Sequence, residues 1–300
     1  MWFAFTIATT LIWGLAELFY KKGANPNEKY SHLKISVCVG IVMGIHAIFT
    51  LLTQGINYDP INLLYYAPVS LLYILSMTFS FYGIRYIEES ISDPIENTSG
   101  AICMLLCVIF LNQQISKLTV LAVGLILIGI LGLGFLENRG DRKKTIGKRL
   151  AIIGFAMPFC YAILDAVGSF LDIYYLDIST SPLANVTEST IEQVANTSYE
   201  LSFAIFAIIL LLYMKSKNTS FELSGQRDKI LAAVCETAGQ FTYVFAMSGN
   251  GAIAAPVISS VCVVSLLLSR IFLHEKLTKE QYFFLILVII GILTIAGLDV

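Results

Sequence analysis

DPIENTSGAICMLLCVIFLNQQISK, residues 93–117, returns in outline as APVISSVCVVSLLLSRIFLHEKLTK, residues 255–279. The two stretches hold register without a gap. Pro94 and Pro256, Phe110 and Phe272, Leu111 and Leu273, and Lys117 and Lys279 are each 162 residues apart. Each copy opens on a proline, which the first turn of a helix tolerates because its missing N–H would have had no partner there. Each then runs through a segment almost free of charge. A chain that writes the same Pro-opened apolar helix twice reads as an internal duplication, and among membrane proteins that is the usual architecture of carriers.

Composition supports the membrane reading. Of 300 residues, 57% are hydrophobic and 13% charged, with a mean hydropathy of +0.77. Soluble domains carry about 25% charged residues. The charges are clustered, and the long stretches between them are tolerated only in lipid or in a core surrounded by it. The formal net charge of −2 gives no basis for nucleic-acid binding. All six cysteines fall in apolar runs without metal-type spacing, so they read as small buried hydrophobes. The opening MWFAFTIATT has no basic n-region and reads as a first span rather than a cleavable leader.

Ten spans are expected, near 2–20, 35–53, 61–84, 93–111, 118–136, 150–171, 199–214, 230–248, 250–273 and 281–298. Each is about the 20 residues a bilayer demands. Five spans per copy is an odd number, so the second copy must enter the membrane inverted. The connections after odd-numbered spans hold 18 of the 19 basic residues, and Lys117 is the exception. The positive-inside rule then puts those connections in the cytoplasm and both termini outside the cell membrane. The stretch from Asp172 to Tyr199 contains no basic residue and carries Asp172, Asp177, Glu188 and Glu192. It is expected as an external loop, with glycosylation-type tripeptides at Asn185 and Asn196. The basic linker 139–149 joins a first repeat, 1–138, to a second, 150–300.

At this point the chain resembles the drug/metabolite transporter superfamily, and in particular its ten-helix EamA-type members. The resemblance rests on Trp13-Gly14 with Lys21 following, on Pro94 and Pro256, and on the step Leu273-His274-Glu275-Lys276-Leu277-Thr278-Lys279 into a Gly-rich last helix. In the first copy that step has degenerated to Asn112-Gln113-Gln114-Ile115-Ser116. The resemblance covers nearly the whole chain. It implies a helical bundle with a central substrate cavity between two repeats, working by alternating access. Members are often drawn with both termini cytoplasmic, whereas the charges here argue for the outside.

Ionisable groups inside spans are costly, so each is a candidate site. Trp13 precedes Glu17 by four residues, and Tyr161 precedes Asp165 by four. Each pair shares a helix face. An acid beside an aromatic ring holds an organic cation by charge and cation–π attraction. Ala16-Glu17 is also similar to the Ala-Glu pair in the first helix of the small multidrug exporters. The alternative for Glu17 is an ion pair with Lys21. Inverted insertion and a 1.5 Å rise put Glu17 and Asp165 roughly 15 Å apart along the membrane normal, as inner and outer stations rather than one joint site. Glu236, Gln240 and Tyr243 form one polar stripe, read either as cavity lining or as interhelical hydrogen bonding. His46 joins Asp165 and Glu236 as a proton-coupling candidate, because imidazole titrates near neutrality; the alternative is a hydrogen-bonded packing residue. Asp93, Glu96, Asn97, Thr98 and Ser99 surround Pro94 and read as a capped, solvated helix start. The resemblance favours Asn97 and Ser99 as substrate contacts. Ser259 and Ser260 occupy the same region of the second copy. Arg270 is expected to snorkel to the inner surface. The Gly-rich runs 124–134 and 291–297 read as helix-packing faces.

No phosphate loop, dinucleotide fingerprint, zinc-ligand set or nucleophile elbow occurs, so no enzyme, metal or cofactor is expected. The expectation is an all-α membrane protein of ten transmembrane helices in two inverted five-helix repeats. It is expected to carry a small metabolite by secondary-active alternating access, leaning toward an organic cation or amine with proton coupling. A carrier of neutral or zwitterionic solutes such as amino acids, and a non-transporting scaffold or receptor, stay open. The expected partners are a small-molecule substrate and the bilayer. A monomer suffices, and a dimer is not excluded.

Overall fold

In the computed structural model the described residues are 1–23, 28, 30–83, 89–137, 148–273 and 278–298, with the backbone alone described at 21, 89–91, 137, 148–155, 269, 270, 272 and 273. The elements are α1 (Trp2–Gly23), α2 (Ser31–Thr53), a short α3 (Ile61–Tyr65), α4 (Ala67–Gly83), α5 (Glu89–Glu96), α6 (Ser99–Phe110), α7 (Lys117–Glu137), α8 (Lys148–Leu176), α9 (Ile191–Ser216), α10 (Arg227–Ile258), α11 (Val261–Leu273) and α12 (Lys279–Leu298). No strand occurs among them. Among the described residues, eight helical stretches are long and apolar enough to cross a membrane, and α4 is a shorter apolar helix. In lipid the helix is the natural solution, because it satisfies its own backbone.

The ten expected spans differ from these elements in several ways; the fourth and ninth are each broken, and Pro94 and Pro256, expected to open helices, lie inside α5 and α10 ahead of the breaks. The third is split, α3 and α4 meeting at Tyr66. The spans expected at 230–248 and 250–273 meet within α10, where Asn250 leaves helical geometry (φ −159°, ψ 65°). The sixth and seventh are longer than their hydropathy suggested, because α8 runs to Leu176 and α9 starts at Ile191. The acidic loop expected outside therefore shrinks to 177–190. Asp172 belongs to α8 and is fully buried, and Glu192 sits in the first turn of α9. Asn196 is likewise buried inside α9, which removes it as a glycosylation acceptor, while Asn185 stays exposed. The cysteine expectation holds for Cys38, Cys103 and Cys107 but not for Cys160, which is exposed. The linker 139–149 lies mostly outside the described residues, as does the step 274–277 and the side chain of Arg270.

The offset of 162 residues seen in sequence recurs in the helix boundaries. α6 and α11 begin 162 residues apart, and so do α7 and α12. Each copy breaks at matching positions, Asn97–Thr98 and Ser259–Ser260. The most extensive packings are α1 on α10, α7 on α12, α2 on α9 and α4 on α8. Counted as the expected spans these are 1 on 8, 5 on 10, 2 on 7 and 3 on 6. Exchanging span i with span i+5 returns the same set. One apolar core joins α2, α4, α6, α8, α9 and α10, and a second joins α7, α10, α11 and α12. Large apolar side chains such as Phe49, Leu52, Ile109, Ile208 and Leu293 point outward.

Glycines set the tightest crossings. A Cβ at Gly129 or Gly132 of α7 would strike Val288 or Phe284 of α12, and one at Gly291 would strike the Ala122 carbonyl. Close approach without side chains is how membrane helices gain packing when lipid gives no hydrophobic drive. Near the basic connections, Glu28 binds Lys34 and lies 3.6 Å from Lys229 of α10. Partial burial raises the Glu28 carboxyl, but the hydrogen bond from Lys34 and the charge of Lys229 outweigh it and hold it below its ordinary value.

At the α2–α9 crossing, a Cβ on Gly40 would meet the Phe203 carbonyl oxygen and the Ala207 side chain. Gly40→Ala is expected to cost about 1–3 kcal/mol by overpacking and to lower the melting midpoint in detergent. Gly124→Ala, where a Cβ meets nothing within 4 Å, should leave it unchanged. Equal midpoints, followed by fluorescence-detected size exclusion, would contradict the crossing.

Candidate functional site

A cavity of about 180 Å³ lies among α1, α4, α5, α6, α8, α9, α10 and the start of α11. Its lining includes all nine residues that the sequence offered as substrate contacts: Trp13, Glu17, Asn97, Ser99, Tyr161, Asp165, Glu236, Gln240 and Tyr243. Asp93, Glu96 and Ser259 also reach it, with Tyr20, Tyr73, Met77, Ser80, Phe81, Gly100, Ser169, Tyr199, Ala255, Ile258 and Val261.

Local geometry explains the placement. On α8, Tyr161, Asp165 and Ser169 recur every four residues and so share one face. On α10, Glu236, Gln240 and Tyr243, spaced four and then three residues apart, also share one face. Gly239 lies between them, and a Cβ there would strike the Trp13 ring. Its absence lets the indole rest on α10, where Trp13 Nε1 donates to the Glu236 carbonyl at 3.2 Å. The indole then stacks against Tyr243, with centroids 5.1 Å apart and planes at 31°. The Tyr243, Tyr73 and Ser169 hydroxyls form a hydrogen-bonded triangle, with Tyr243 and Tyr73 2.6 Å apart and Ser169 Oγ at 3.1 and 3.0 Å from them. The Tyr73 ring also packs edge-on against Tyr199 at 5.6 Å.

Hydroxyl groups surround several of the lining acids, and those of Ser99 and Tyr161 stand near Asp165. Ser80 and Ser92 donate to the two oxygens of Glu96, at 2.8 and 2.6 Å. Tyr20 reaches Glu236 at 3.4 Å. Among the described lining residues there are five carboxyl groups, seven aromatic rings and no basic side chain. Such a lining carries a negative field in a low-dielectric surround, where charge acts more strongly than in water.

Matches in sequence cover the cavity-lining helices other than α8. The model of the EamA-like transporter family matches residues 1–135 and 179–297. The chain belongs to the EamA-like transporter family. It is accordingly a multi-pass integral membrane protein of a family of transporters, not of enzymes. A crystal structure of a protein 12% identical in sequence has the same fold, with a TM-score of 0.72 over 99% of this chain and 96% of the other. No curated protein matches the chain in sequence.

Two sequence expectations about the site change in this EamA-like chain. Glu17 and Asp165, expected as separate stations, line the same cavity. His46 does not line it. Its Nδ1 lies 2.8 Å from each carboxylate oxygen of Glu200, a fully buried residue of α9 that also accepts from Asn196 at 2.9 Å. Glu200 escaped notice because α9 was read as starting at Tyr199, which left the acid at a helix end. Ser169 was legible as the next position on the Asp165 face. Tyr73 and Tyr199 were not, since nothing local separates them from the other tyrosines.

The Gly239 contact is testable. In a Trp2→Phe background Trp13 is the only indole, because the chain has two tryptophans. Gly239→Ala should displace it from Tyr243, at a cost of about 1–3 kcal/mol, and shift its emission maximum. An unchanged spectrum would contradict the stacked geometry.

Proposed function

We propose that this protein is a secondary-active carrier of a small organic cation or amine. The observation that carries the reading is the lining itself: five carboxyl groups and seven aromatic rings, with no basic side chain among the described lining residues. A permanent or protonated ammonium is drawn in by charge and held against ring faces, each contact contributing about 0.5–2 kcal/mol. A zwitterion or anion would also need a positive partner, and the described lining offers none.

Alternating access is the motion this reading assigns to the chain. Two five-helix repeats, 1–138 and 150–300, inverted relative to each other and joined by 139–149, would rock about the cavity between them. The shared 162-residue offset and the two-segment family match support the duplication. Both halves supply lining residues, so one chain makes a whole site and a monomer suffices. The distribution of basic residues supports termini outside the cell membrane. We assign coupling to Asp165 and Glu236, since a carboxylate that binds either a proton or an ammonium exchanges one for the other. His46 is left out because Glu200 and not the cavity occupies it.

Uptake of tetraethylammonium and methylammonium into proteoliposomes, with and without an acid interior, tests the reading. Uptake should rise with the pH gradient. Asp165→Asn and Glu236→Gln should each lower it by about tenfold or more, the equivalent of ~1.4 kcal/mol, and remove the gradient dependence. Wild-type rates in both variants, or competition by zwitterionic amino acids but not by amines, would overturn it.

A further inference from the structure

The cavity lining stops at Ser169 along α8 and at Tyr73 along α4. The polar faces of the chain continue past both points. Asp165, Ser169 and Asp172 share one face of α8, and Tyr66 and Ser70 precede Tyr73 at the same helical spacing. At 1.5 Å per residue, Asp172 stands roughly 10 Å past Asp165 along the helix axis, toward the 177–190 loop.

Asp172 is fully buried. The Tyr66 hydroxyl donates to one of its oxygens, and the other has no hydrogen-bond partner. Ser70 Oγ, fully buried one turn from Tyr66, has none either. Among the described residues no Lys, Arg or His pairs with Asp172. Burying a carboxylate against a single neutral donor is expensive. An amide or hydroxyl would accept from Tyr66 without that cost, so a purely structural partner has no need of a carboxylate.

This place is shut off from the cavity and from the loop side alike. The Tyr73, Tyr243 and Ser169 hydroxyls, bonded to one another, stand between Asp172 and the cavity. Toward the loop, Tyr175 packs edge-on against Tyr66 at 5.9 Å. Asn62 clamps the loop, donating to the Ala184 carbonyl at 3.0 Å and accepting from its N–H at 2.7 Å.

We propose that Asp172 is a second cation-binding station, on the loop side of the hydroxyl barrier, with the Tyr66 hydroxyl holding the cation's place in this closed arrangement. The station rests on the cation-carrier reading and extends it. When the loop side opens, Tyr66 leaves the carboxylate, and an ammonium takes its place against the Tyr66 and Tyr175 rings. The cation then passes the parted hydroxyls to Asp165.

Right-side-out and everted membrane vesicles holding the full chain, assayed with tetraethylammonium, test this. The loop face is identified by a tag inserted at the exposed Glu188. Asp172→Asn should raise the half-saturating concentration from the loop face by about tenfold or more. It should leave half-saturation from the opposite face, and equilibrium quenching of Trp13 in detergent, within about twofold. Tyr66→Phe keeps the carboxylate and frees it, and should lower loop-face half-saturation several-fold. An aspartate that is permanently neutral is mimicked by asparagine, so wild-type kinetics from both faces in Asp172→Asn would overturn the station alone. An equal loss from both faces with a lowered melting midpoint would also overturn it, as a structural role. A wild-type protein that neither binds nor carries tetraethylammonium would overturn the station and the cation-carrier reading together.

Discussion

A helix interrupted at membrane depth exposes backbone groups that lipid cannot satisfy, and it survives only where protein or a cavity takes them up. Two such interruptions among the described residues, at Asn97–Thr98 and Ser259–Ser260, face each other. The Gly100 N–H donates to Ser259 Oγ at 3.1 Å. A Cβ on Gly100 would strike that hydroxyl and the Ala255 carbonyl, so the missing side chain is what lets α6 and α10 meet. Ser259 and Ser260 also turn their hydroxyls back on Ala255 and Val257 carbonyls, at 3.1 and 2.6 Å. The crossing leaves Asn97, Ser99 and Ser259 on the cavity wall, opposite the polar faces of α8 and α10.

Given that crossing, the electrostatics of the cavity follow from what surrounds each acid. Glu96 accepts from the Ser80 and Ser92 hydroxyls and Glu236 from that of Tyr20. Neutral donors fix a carboxylate in place without cancelling its charge, whereas an arginine or lysine would do both. The aromatic rings add faces that favour a cation. Glu200 is the counter-example. It is equally deep but paired with His46 and Asn196, and it stands apart from the lining. Depth alone therefore does not mark a binding acid; the nature of its partners does.

Much of this was legible in the sequence because the relevant signals are periodic or repeated. The 162-residue offset read in the sequence recurs in the helix starts at Ser99 and Val261 and at Lys117 and Lys279, although the sequence placed the first pair of starts at Pro94 and Pro256. Helical spacing alone grouped Trp13 with Glu17, Tyr161 with Asp165, and Glu236 with Gln240 and Tyr243, and all seven line the cavity. What failed did so at helix ends. Hydropathy falls at Asp172 and at Glu192–Tyr199, so the loop was drawn too long and two buried acids, Asp172 and Glu200, were left at its edges. Polar residues inside a bundle lower hydropathy just as a loop does, and only tertiary partners such as Tyr66 and His46 separate the cases.

The central claim is that one negative, aromatic cavity shared by both halves of the chain is where an organic cation binds. A crystal of the protein soaked with tetramethylarsonium, a cation whose arsenic scatters anomalously, places that ion directly. The expected result is an anomalous peak inside the cavity, bounded by Trp13, Asp165 and Glu236, that disappears in Asp165→Asn. A peak only on the lipid-facing surface, or none at a saturating concentration, would contradict the claim.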